Sequence, residues 1–144
     1  MKQTFLIFTL TTTAALTLAQ PQRAPRLKPV SIEMAQSKLP DKEVQQTLLT
    51  VLEAVEAGDY ANFVRHASDD WKPKITQEEF DRNAGIAALR MEKGYKVVYL
   101  GTMNKPHFTI HLWKLVFDDR GGDVLGEFSI KGEFTGKFDN FHLH

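Results

Sequence analysis

The spacing of apolar positions changes once along the chain, near Gly94. Before it they recur at helical intervals; after it they alternate or run continuously, as strands do. The second half centres on residues 107–117, a run from His107 through Trp113 to Phe117 that is rich in aromatic and β-branched side chains. Asp118-Asp119-Arg120-Gly121-Gly122 breaks it and residues 124–130 resume it, so 106–130 reads as a β-hairpin. Residues 95–100 precede it as a strand and 101–106 as a turn. A last strand, 137–143, follows a turn bracketed by Gly132 and Gly136.

The first half predicts three helices. Asp41 stands at the N-cap of the first, and Val44, Leu48, Val51, Leu52 and Val55 form its apolar stripe up to Gly58. Asp59 caps a short second helix whose inner face is Tyr60, Phe63, Val64 and Ala67. Thr76-Gln77-Glu78-Glu79 is a capping box, flanked by Ile75 and Phe80 at the positions of a hydrophobic staple. The third helix runs from there to about Met91 and stops at Gly94. Three helices followed by a four-stranded antiparallel meander give an α+β domain with its helices on one face of the sheet.

The N-terminus falls outside that domain. Lys2, the Thr-diluted apolar stretch that follows it and the small residues of Thr17-Leu18-Ala19 read as a secretory signal peptide over residues 1–19. The stretch is too short for a membrane span, and no second apolar run would stop transfer. The expected location is therefore periplasmic or extracellular. Residues 20–40 carry four of the six prolines and read as a flexible linker, ordered only near Ile32 and Met34, ahead of a single domain over 41–144. Eighteen basic and eighteen acidic side chains cancel to a net charge of 0, which gives no sign of a nucleic-acid binder or a polybasic anchor. The absence of cysteine excludes disulfides, thiol catalysis and cysteine-based zinc sites, leaving the hydrophobic core to stabilise the fold.

Two stretches resemble the nuclear-transport-factor-2-like superfamily of cystatin-like α+β folds. One is Val55-Glu56-Ala57-Gly58-Asp59-Tyr60 at the junction of the first two helices. The other is Leu112-Trp113-Lys114-Leu115-Val116-Phe117 before its polar turn, as in small exported members of uncharacterised function. The resemblance implies a curved sheet that encloses a conical pocket with the helices, and an open sheet face that often forms a dimer. It implies no particular reaction.

Candidate chemistry depends on the hairpin register. Pairing Val116 with Val124 sets Leu112 against Phe128 and Ile110 against Ile130, so that Phe108, Ile110, Leu112 and Val116 face inward. The expected pocket is then lined by Tyr60, Phe80, Phe108, Leu112, Lys114 and Phe128. Lys114 lies opposite Gly126, either snorkelling to water at the rim or serving as a polar anchor. On the outside, His111, Trp113, Leu115 and Phe117 would make an aromatic stripe suited to a homodimer, and Trp113→Glu would give a folded monomer. A one-residue slip would exchange the two sets.

His107 and His111 lie at the other end of the expected meander from His142 and His144, so no four-histidine metal site is expected, and no motif calls for a cofactor. These features favour an exported, non-enzymatic domain that binds a small apolar ligand or an envelope protein partner. A small cone-pocket hydrolase or isomerase using His66, Tyr60 or Asp59 is the alternative.

Overall fold

A computed structural model describes residues 32–34 and 39–144; the signal-peptide stretch and most of residues 20–40 lie outside the described residues. The first helix, α1 (Lys42–Ala57), buries the anticipated stripe from Val44 to Val55 together with Thr47 and Ala54. It ends at Gly58, whose φ of 66° is the left-handed conformation a Cβ would strain. Asp41 does stand at the N-cap, but its carboxylate makes no capping hydrogen bond. Asp59, by contrast, accepts the Asn62 N–H at 2.9 Å and starts α2 (Tyr60–Arg65). The capping box is complete: Thr76 accepts from the Glu79 N–H at 3.2 Å, and Glu79 accepts from the Thr76 N–H at 3.1 Å. It opens α3 (Gln77–Met91), whose inner face is Phe80, Ala84, Ala88 and Met91.

The sheet has the order β1-β2-β3-β4-β5. Strands β2 (Tyr95–Lys105), β3 (Phe108–Phe117), β4 (Val124–Lys131) and β5 (Asn140–Leu143) form the expected antiparallel meander. A fifth strand, β1 (Ile32–Met34), pairs parallel with β2 from within the stretch read as linker, at the two residues where order was expected. Gly101 does not begin a turn. It ends a β-bulge at Leu100, past which β2 continues to Lys105. The reversal falls instead on Pro106-His107, with His107 at a φ of 70°. Residues 137–139 are not strand, although Phe138 is fully buried and Ala67 and Phe138 form a parallel bridge.

The hairpin register differs by one residue from the expected one. Leu115 pairs with Val124, Trp113 with Gly126, His111 with Phe128 and Thr109 with Ile130. Trp113, Leu115 and Phe117 therefore point into the core, with Trp113 only 1% exposed. The sequence argument sorted residues by polarity and overlooked size. Burying an indole contributes about 5 kcal/mol of transfer free energy, more than the smaller aliphatic side chains of the opposite face. Gly126, the one residue of β4 without a side chain, leaves room across from it.

The core under the sheet is strongly aromatic. Phe63 of α2 meets Phe80 at 4.8 Å between centroids, Phe138 at 5.6 Å and Phe141 at 6.0 Å. These contacts tie α2 and α3 to the β4–β5 side of the sheet.

Candidate functional site

The helices do not fill the space beneath them evenly. At positions 84 and 87, where α3 crosses β3 and β5, the helix presents alanines. A cavity of about 420 Å³ opens there, floored by Leu115, Phe117 and Leu143 and walled by Val55, Phe80 and Met91. Ile86, 71% exposed, stands at its mouth.

Asn83, His142, His144 and Arg90 are the cavity's polar lining; the two imidazole rings lie 5.8 Å apart, and Arg90 is held by its own partners. Arg90 donates from Nε and Nη2 to the two oxygens of Asp119 at 2.9 and 2.7 Å, and from Nη2 to the Gly122 carbonyl at 2.5 Å. Its guanidinium lies 4.1 Å from the centroid of Phe117. The hydrogen bond from Arg90, with one from the Gly121 N–H, holds the Asp119 carboxyl down to about 2. The arginine is thus fixed as a clamp between α3 and the β3–β4 turn, with its charge matched. What the cavity offers a ligand is mostly apolar wall, with Asn83, His142 and His144 as its remaining polar lining.

Only part of the expected pocket lies here. Phe80 lines the cavity, and Tyr60 packs against Phe80 at 5.7 Å while its hydroxyl donates to the Ile75 carbonyl at 3.1 Å. Phe128 is wholly buried in the core. Phe108, Leu112 and Lys114 are on the opposite face of the sheet, because the register shift turns the even-numbered residues of β3 outward. Lys114 pairs there with Asp123 at 3.0 Å, so it is neither a polar anchor nor a charge stabiliser inside the cone. The same shift removes His111, Trp113, Leu115 and Phe117 from the proposed dimer face, all four being at most 9% exposed.

Nor does the structure bring His66, Tyr60 and Asp59 together at one cavity. Asp59 is occupied as a cap, Tyr60 is bonded to Ile75, and the half-exposed His66 lies beside Lys137 and Arg65. Burial, then those two cations, lower the His66 pKa. None of the three residues lines either of the two cavities described here. Among the described residues no group of three or more His, Asp or Glu could hold a metal ion, and no helix is long and apolar enough to cross a membrane.

A second cavity, of about 460 Å³, lies at the other end of the sheet, against the N-terminus of α1. His111 and Tyr99 line it, with Tyr99 Oη 3.4 Å from His111 Nδ1. Sequence reasoning expected a pocket between helices and sheet but named only Phe80 of the first cavity's lining, and it missed the second cavity. The paired alanines of α3 were the signal for the first, and a histidine alternating with Trp113 and Leu115 was the signal for the second.

Among solved structures the chain is similar to an NTF2-like protein of unknown function from Cytophaga hutchinsonii. The two are 10% identical, the match covers 70% of this chain and 88% of that one, and the TM-score is 0.35. No family model and no curated protein matches the chain. Three helices followed by an antiparallel meander are the order expected from the hydrophobic pattern of the sequence.

Proposed function

We propose that the protein is an exported binding domain for a small apolar ligand, held between α3 and the sheet. The observation that carries the reading is the cavity beneath Ala84 and Ala87. It is large enough for a compact hydrophobic molecule, and its walls are mainly aliphatic and aromatic. Arg90 is saturated by Asp119 and Gly122, which leaves Asn83, His142 and His144 as the polar groups that could orient a bound molecule. Export rests on the leader pattern of residues 1–19.

Apolar area gives such a ligand its affinity, at about 25 cal/mol per Å² removed from water. Native mass spectrometry of protein purified from its own host is the direct test. A bound hydrophobic molecule that is lost when Ala87→Trp fills the cavity is the expected result. A spectrum showing only the bare chain, together with no uptake of added alkanols, would overturn the reading.

A further inference from the structure

We propose that the cavity at the N-terminal end of α1 is a second ligand site, one that takes a small neutral molecule through an oxygen acceptor bonded by His111. The first support is the position of His111. It lies on the inner face of β3 between Thr102 of β2 and Phe128 of β4, and it is 7% exposed. Side chains at such positions are normally apolar, and a buried imidazole is stable only if its nitrogens are partnered. One of them is: Nδ1 lies 3.4 Å from Tyr99 Oη. Nε2 has no hydrogen-bond partner among the described residues and is not sealed in the core, which fits a nitrogen open to the cavity that His111 lines.

The second support is the direction of the hydrogen-bond chain. Between a phenol and a neutral imidazole the hydroxyl is the stronger acid and the ring nitrogen the stronger base. The Tyr99 hydroxyl is then the donor and Nδ1 the acceptor. A neutral imidazole that accepts at Nδ1 carries its proton on Nε2. The nitrogen left over is therefore a donor, and it calls for an acceptor oxygen.

The third support is the charge around it. Burial keeps the imidazole below its usual value and the phenol above its own, so both rings stay neutral near pH 7. Among the described residues, Asp41 at the α1 N-cap is the charged side chain lining the cavity, and its carboxylate is not spent on capping. A negative rim around neutral donors disfavours anions and leaves alcohols and ketones as the fitting class. Val44, Ile130 and Phe134 provide apolar wall for the remainder of the molecule.

Cyclohexanol and cyclohexanecarboxylate, titrated separately into the full-length protein at pH 7.5 and followed by amide chemical shifts, test the assignment. Cyclohexanol is expected to shift Gly101, Thr102, Thr109 and Gly132 saturably, and the carboxylate to bind at least about tenfold more weakly. His111→Phe, which keeps an aromatic ring but loses the donor, should weaken cyclohexanol by about tenfold, the size of one net hydrogen bond. If that variant does not fold, Tyr99→Phe replaces it, since losing the hydroxyl frees Nδ1 to take the proton and should also weaken binding. Equal affinity in the folded variant, equal affinity for the anion, or shifts confined to the cavity beneath α3 would each overturn the proposal. The last outcome would leave the apolar-ligand reading standing, so the two sites fail separately.

Discussion

Trp113 faces Gly126 across the β3–β4 pair, and that pairing sets which side of the sheet becomes the core. A Cβ built on Gly126 would lie 3.7 Å from Trp113 Cβ and 3.4 Å from Leu115 Cδ1, which is contact without overlap. Gly126→Ala should accordingly fold and gain up to about 0.5–1 kcal/mol through lost freedom of the unfolded chain. Trp113→Glu should fail to fold, since it places an unpaired carboxylate in a site that is 1% exposed. Lys114→Glu, one residue away on the outer face, should stay folded. Circular dichroism and thermal melts separate these outcomes. A folded Trp113→Glu would restore the register first expected from the sequence.

That register shows how far the sequence was legible. The helices were readable because each carries a local signal: the Val44–Val55 stripe, the Asp59 cap and the Thr76–Glu79 box all depend on neighbours within a turn or two. The strands were readable as strands, but their faces were not. Residues 108–117 have apolar side chains on both faces, and a period of two cannot say which face the helices cover. The bulge at Leu100 was equally hidden, because a glycine after an apolar run reads as a turn until the partner strand is known. The cavities are tertiary gaps: they exist where Ala84 and Ala87 cross the sheet and where His111 meets α1, and neither crossing is written in a local pattern.

The capping box of α3 should be worth about 1 kcal/mol. Thr76→Ala removes the side-chain acceptor of the Glu79 N–H and the partner of the Glu79 carboxylate at one stroke. A urea midpoint lowered by that amount, with unchanged slope, is the expected result. No change would mean that the ends of α3 are held by packing alone.

Acid should weaken the clamp at the first cavity's rim in a defined window. Asp119 is held from 3.8 down to about 2, so the folded state binds fewer protons than the unfolded chain between those values. Its stabilising contribution is complete above pH 3.8 and is lost as the pH falls through about 2. Asp119→Asn should flatten the dependence of stability on pH in that interval. A carboxyl titration of Asp119 with an ordinary midpoint would refute the clamp.

Histidine titration acts at higher pH. Burial lowers the pKa of His111 against the pull of Asp41, and burial with two nearby cations lowers that of His66. Both groups protonate more readily in the unfolded chain, so stability should be full above their ordinary value of 6.5 and decline as the pH drops below it. His111→Phe should remove part of that decline and His66→Gln the remainder, as read by urea unfolding at pH 7.5 and 5.5. A decline identical in wild type and both variants would show that neither histidine is the cause.

Titration of 1-decanol into the full-length protein, followed by amide chemical shifts, tests most directly whether the gap beneath α3 is a ligand site. Saturable shifts at Ala84, Ala87, Leu115 and Phe117 are expected in the wild type, with loss of binding in Ala87→Trp while the fold is kept. Wild-type spectra unchanged at saturating decanol, or shifts confined to the outer face around Leu112 and Val116, would contradict an apolar-ligand function.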